Sequence, residues 1–181
     1  MTSAGGDNPN DVRQLAQRYF DATARRDLDA MEACWEPGSV ENIAPVGELS
    51  VPEEYRAYFA EIFEAFPDFR YEVLEVLAEG NKVAVHWRAH GTFDGRPYQG
   101  LQPNGRTGSI AGIDMLEFAG GKIVRNDVYF DSGTFMRTLG LLPEVGSIGE
   151  RLAKGLFNAR VKATKATKAT KAIGGRRKRA G

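Results

Sequence analysis

At Asp68 the apolar residues of this chain change their spacing, and that change restricts the fold more than any other feature. Before it they recur every three or four positions; from Phe69 to Asp131 they alternate. Val12, Leu15, Ala16, Tyr19, Phe20 and Thr23 form one helical stripe, which begins near Asn10 or Asp11, either of which can cap. A short second helix is predicted with Leu28, Met31 and Trp35 buried and Pro37-Gly38 ending it. Val40 to Pro45 reads as a short strand. The third helix opens at Ser50-Val51-Pro52-Glu53, a capping-box pattern, and its stripe is Tyr55, Tyr58, Phe59, Ile62, Phe63 and Phe66. Four strands follow: Phe69–Ala78, Lys82–Phe93, Thr107–Phe118 and Lys122–Asp131. The turns Glu79-Gly80-Asn81 and Ala119-Gly120-Gly121 are short enough to join antiparallel neighbours. The loop over 94–106 carries glycine and proline and is placed to overhang a pocket mouth. A last short helix is predicted over Thr134–Leu141.

Helices first and an antiparallel meander second make an α+β arrangement with the helices on one face of the sheet. A strongly twisted sheet wrapped on helices forms a cone whose open end is a natural ligand site.

Charge divides the chain again. Residues 1–150 hold 13 lysines and arginines against 24 acids, whereas residues 151–181 hold 11 and no acid. The domain reading is a disordered start over 1–9, the cone domain over 10–143, a helical extension over 144–159 and a disordered basic tail over 160–181. In the tail Lys-Ala-Thr repeats from Lys162 to Lys171 and Arg176-Arg177-Lys178-Arg179 follows, with almost nothing apolar to bury. No aromatic residue interleaves with its cations, so it is expected to touch nucleic acid weakly, through phosphates and without sequence preference, or to fold back on the acidic body.

No apolar run is long enough to span a bilayer, and the first ten residues lack the basic start and apolar stretch of a secretory signal. The single cysteine, Cys34, reads as a small buried hydrophobe and cannot form an internal disulfide. These features point to the cytoplasm and away from membranes. His86 and His90 lie roughly 13 Å apart along a strand, too far to share a metal. With no phosphate-loop or dinucleotide pattern either, neither metal nor cofactor is expected.

Asp114 is the residue that carries chemistry most plainly. In its strand it shares a face with Ile110, Leu116 and Phe118, so its carboxyl must be hydrogen-bonded, paired or protonated. Burial raises a carboxyl pKa, which is how a proton donor is kept neutral. Tyr19 lies mid-stripe on the first helix and is placed to meet Asp114 across the pocket. On the last strand Val124, Asn126, Val128 and Phe130 are assigned inward and Ile123, Arg125, Asp127, Tyr129 and Asp131 outward, leaving Asn126 as a polar handle in apolar surroundings. Trp35, Phe59 and Trp87 complete the predicted wall. His86, Arg88 and His90 face outward, where Arg88, Arg125 and Tyr129 are expected to form a homodimer face. Asp131, at the strand end, is read as the cap of the helix that follows.

Over residues 10–143 the chain resembles the nuclear transport factor 2-like superfamily. Phe66-Pro67-Asp68, Gly91-Thr92, Pro103-Asn104-Gly105-Arg106, Gly112-Ile113-Asp114, Gly121-Lys122-Ile123-Val124 and Leu139-Gly140-Leu141 are similar to SnoaL-like polyketide cyclases. Gln17-Arg18-Tyr19, Asp27-Leu28-Asp29 and Val40-Glu41-Asn42 are similar to ketosteroid isomerases. The resemblance implies that Tyr19 and Asp114 match the isomerase oxyanion hole, whose aspartate is protonated. It puts Asn42 where the isomerase has its general base, Val128 where the cyclases have a catalytic aspartate, and Asn126 where a histidine often stands. The implied function is binding of a small, largely apolar carbonyl compound, with enolisation-linked isomerisation, cyclisation or dehydration. In that scheme Asp114 and Tyr19 hold the oxyanion and Asn42 and Asn126 orient the ligand. A non-catalytic ligand-binding or dimeric accessory domain is the alternative.

Overall fold

The stripe on the first helix buries Val12, Ala16, Tyr19, Phe20 and Thr23, as its spacing requires. This helix, α1 (Pro9–Ala24), is followed by α2 (Leu28–Glu32), whose first turn is capped by Asp27 accepting from Ala30 N. The computed structural model describes residues 9–44 and 46–177; Pro45, residues 1–8 of the start expected over 1–9 and the last four residues of the tail fall outside. Trp35 does not belong to α2. It opens β1 (Trp35–Ala44), and Pro37-Gly38 sits inside that strand instead of ending a helix. The reason is a bulge: between Trp35 and Val40 the register against the partner strand slips, and Gly38 takes a φ of 84° that suits glycine. After β2 (Gly47–Ser50) comes α3 (Glu53–Ala65). Its start is held by Glu54, not Glu53: one carboxyl oxygen accepts from both the amide and the hydroxyl of Ser50.

The meander is β3 (Arg70–Glu79), β4 (Lys82–Thr92), β5 (Thr107–Ala119) and β6 (Lys122–Phe130), then α4 (Ser132–Thr138), capped by Asp131 through Thr134 N and Oγ1. Among the described residues six strands make one curved sheet in the order β2-β1-β6-β5-β4-β3. Only β1 and β6 pair in parallel; the other neighbours are antiparallel. Helices α1 to α3 pack on the concave face, and Val83, Val85, Trp87, Leu116 and Phe118 of β4 and β5 supply the sheet's half of the core. The expected α+β fold is the observed one.

One inward assignment needs correction. Ile123, placed outside with Arg125 and Tyr129, is fully buried, while Val124 is only partly so. The register between β5 and β6 shifts at Glu117/Phe118, and a one-residue slip turns side chains to the other face. The loop over 94–106 does not stand free. Gly95 N and Arg96 N donate to carbonyls of Ala65 and Glu64 at the end of α3, and Tyr98 is buried with Phe66, Phe93 and Leu139 in a second apolar cluster.

The described residues from 142 onward form a separate compact unit. Its helix α5 runs over Ile148–Arg177, so it continues through much of the segment expected to be disordered. Lysine, alanine and arginine are strong helix formers, a local preference that an argument from missing core ignores. Ser147 and Glu150 form a capping box at its start: Ser147 Oγ accepts from Glu150 N, and the Glu150 carboxyl accepts from Gly146 N. No described helix is long and apolar enough to cross a membrane.

Candidate active site

Between the helices and the concave face of the sheet lies a cavity of about 120 Å³. Helix α1 contributes Tyr19, Phe20 and Thr23, and α3 contributes Tyr58, Phe59 and Ile62. From the sheet come Glu41 and Ile43 of β1, Tyr71 of β3, Trp87 of β4, Asp114 of β5 and Val128 of β6, while Phe135 and Thr138 of α4 stand at the other end. Tyr19, Phe59, Trp87, Asp114 and Val128 therefore reach the cavity from the positions expected of them.

Three expected site residues do not. Trp35 is buried in the core against Tyr19 and Tyr55, with ring centroids 6.1 and 5.4 Å away. Asn42 lies on the opposite side of β1, where its amide donates to Asp127 Oδ1 at 2.9 Å. Alternation explains this: Ser39, Glu41 and Ile43 take the inward positions of β1, so Glu41, and not its neighbour Asn42, enters the site. Asn126 is fully buried but stands behind the wall, where it holds two carboxyls in place.

The polar centre is built from these groups. Trp87 Nε1 donates to Asp114 Oδ1 at 2.6 Å, and Asn126 Nδ2 donates to Asp114 Oδ2 at 2.8 Å. The same Asn126 nitrogen donates to Glu41 Oε1 at 3.2 Å. Glu41 is 1% exposed, and its other oxygen, Oε2, is buried with no hydrogen-bond partner. Gly112 makes the Trp87 contact possible, because a Cβ there would lie 2.3 Å from the indole. Tyr55 Oη donates to Tyr19 Oη at 3.1 Å, which leaves the Tyr19 proton for another acceptor.

Burial pushes the Asp114 carboxyl up to about 6, against the opposing pull of its bonds from Asn126 and Trp87. Burial pushes Glu41 well above the usual carboxylate range, the nearby Asp114 charge adds to this, and the Asn126 bond opposes it. Of the two, Asp114 has the stronger hydrogen-bond support and ionises first. The surroundings thus favour the ionised form of Asp114 over that of Glu41. Burial likewise raises the Tyr19 phenol well above its ordinary value, with Glu41 next in effect, so Tyr19 remains a donor.

Residue reasoning missed Glu41. The signal was present, since Glu41 alternates with Ile43, but the bulge at Pro37-Gly38 hid where the strand began. Among the described residues no cluster of His, Cys, Asp and Glu has the makings of a metal site.

Comparison with known proteins agrees with this architecture. The family model for the SnoaL-like domain matches residues 16–126. No curated protein matches the sequence. AclR of Streptomyces galilaeus, named as a candidate hydroxylase, superposes with a TM-score of 0.70 at 25% identity, covering 84% of this chain and 99% of its own. A candidate SnoaL-like polyketide cyclase from Jannaschia sp. CCS1 gives 0.67 at 23% identity, covering 77% and 100%. A candidate ketosteroid isomerase from Kribbella flavida DSM 17836 gives 0.53 at 18%, covering 68% and 79%. With a family match over residues 16–126 and a nuclear transport factor 2-like fold, the chain belongs to the SnoaL-like domain family.

Proposed function

We propose that the domain binds a small, largely apolar carbonyl compound in the cavity and catalyses an enolisation-linked isomerisation, cyclisation or dehydration. The observation that carries this reading is the pair Glu41 and Asp114, bridged by Asn126 on the wall of an apolar cavity, with Glu41 Oε2 free to meet a ligand. Two carboxyls held at different proton affinities by their surroundings divide acid and base between them. Asp114, ionised, takes a proton from the carbon beside the carbonyl. Glu41, protonated, and Tyr19 donate to the carbonyl oxygen as negative charge develops there. The roles thus shift from those the resemblance implies: oxyanion contact falls to Glu41 and Tyr19, and Asn126 positions the carboxyls. An apolar cavity of about 150 Å³ takes up benzene, so the buried part of the substrate is about one ring in size.

The test is hydrogen–deuterium exchange, followed by NMR, on a panel of cyclic ketones, β-hydroxyketones and β,γ-unsaturated ketones. Exchange or product formation that is lost in both Glu41→Gln and Asp114→Asn supports the reading. Binding of panel members with no exchange in any of them selects a non-catalytic binding domain instead.

The domain is further proposed to act as a homodimer through the outer sheet face. Of the residues first expected there, Tyr129 is kept and two are replaced. Arg88 and Arg125 are engaged within the chain, by Glu72 and Asp127, but Ile113, Met115 and Tyr129 are 45%, 44% and 56% exposed on adjacent strands.

A further inference from the structure

The cavity is unbalanced in charge. Glu41 and Asp114 receive three hydrogen bonds from neutral donors, Trp87 and the Asn126 amide, and none from a cation. Among the described residues that line the cavity there is no lysine or arginine; the one basic residue, His90, is exposed. Ionising Asp114 therefore leaves a negative charge in an apolar enclosure without a counter-ion, a state that costs free energy until something neutralises it. An anionic ligand would add to that cost and a neutral one would leave it unchanged. A cation would remove it.

The walls suit the same kind of ligand. Ten of the 22 lining residues are aromatic, and the negative face of an aromatic ring attracts an alkylated ammonium without demanding directional bonds. The one polar atom left unsatisfied on this wall, Glu41 Oε2, becomes an acceptor for an ammonium N–H once a bound cation favours the ionised form of Glu41. We propose that this cavity is a binding site for a small organic ammonium ion, with Asp114 and Glu41 as counter-charge and the aromatic side chains around its alkyl groups. The proposal does not depend on carbonyl chemistry. A cation here is either a ligand in its own right or the charged portion of the substrate.

The site's own titration sets the pH dependence. Asp114 is ionised above about 6, so the preference for a cation holds at pH 7.5 and fades at pH 5, where the pair is neutral. The other titratable groups facing the pair are Tyr19 from α1, Tyr55 and Tyr58 from α3, and Tyr71 from β3. All four are pushed upward by burial and keep their protons across this range. His90 borders the cavity from β4 and is the control.

The experiment uses three probes that share one alkyl group: tert-butylammonium, tert-butyl alcohol and pivalate, titrated calorimetrically into the full chain. At pH 7.5 the ammonium is expected to bind at least tenfold tighter than the alcohol, and pivalate weakest. At pH 5 the ammonium and the alcohol converge. Asp114→Asn abolishes the preference and Glu41→Gln weakens it, while the alcohol still binds to both variants, and His90→Gln keeps it. Equal binding of the three probes at pH 7.5, or an unchanged preference in both carboxyl variants, overturns the proposal. Should either variant fail to fold, the pH comparison on the wild-type and His90→Gln proteins decides: no convergence at pH 5 rejects it. A protein inert toward every ketone that still prefers the ammonium loses the carbonyl reading and keeps this one.

Discussion

Glu41 and Asp114, from strands that are not neighbours in the sheet, share one hydrogen-bond donor: Asn126 Nδ2 lies 3.2 Å from one carboxyl and 2.8 Å from the other. The parallel register of β1 against β6 sets Glu41 opposite Asn126, and the antiparallel register of β5 against β6 sets Leu116 opposite the same residue, with Asp114 two positions away on the same face.

The pair makes stability depend on pH in a defined direction. A carboxyl whose folded pKa is raised holds its proton more tightly in the native state, so its contribution is full below the unfolded value and is lost as pH rises. For Asp114 the loss runs from about 4 to about 6. Between those limits the native state loses about 3 kcal/mol relative to a neutral residue at that site, and Glu41 extends the decline upward. The carboxyls pulled down by their bonds, Asp68, Asp127 and Asp131, act oppositely at lower pH. Urea denaturation of wild type and Asp114→Asn at pH 4, 5, 6 and 7 isolates the term. The difference between them is expected to shift in favour of the variant as pH rises from 4 to 6. A constant difference would mean that Asp114 is not proton-linked to folding.

Gly112→Ala is expected to disturb the site without touching either carboxyl. Its Cβ would meet the Trp87 ring at 2.3 and 2.7 Å, so the indole must move and its bond to Asp114 is broken. The cost is on the order of 2 kcal/mol. Chemical denaturation measures that loss, and a changed Trp87 near-ultraviolet circular dichroism signal reports the displaced ring.

The outer sheet face is expected to hold two copies together. Sedimentation velocity at micromolar concentration should show a dimer for wild type, and Met115→Lys or Ile113→Lys should shift it toward monomer with little change in thermal stability. A monomeric wild type rejects the interface.

Residues 160–181 carry nine cations and no acid. Full-length protein is expected to be retained on heparin or DNA at low salt and to elute as salt rises, because phosphate contacts release counterions. Deleting 160–181 should abolish retention. If retention is unchanged, the segment does not serve polyanions.

By itself the sequence determined everything that depends on neighbours along the chain. The helical stripes of α1 and α3, the period-two strands from Arg70 to Phe130, the cap at Asp131 and the placement of Asp114 among apolar side chains are all local patterns. What tertiary structure decided is phase. The bulge within β1 sets whether Glu41 or Asn42 faces inward, and the slip at Glu117/Phe118 turns Ile123 into the core. Each is fixed by pairing with a strand far away in sequence, and a shift of one residue exchanges the two faces of a strand. The charge of the cavity followed from that choice: with Asn42 inward it would hold one carboxyl, and with Glu41 inward it holds two joined by an amide.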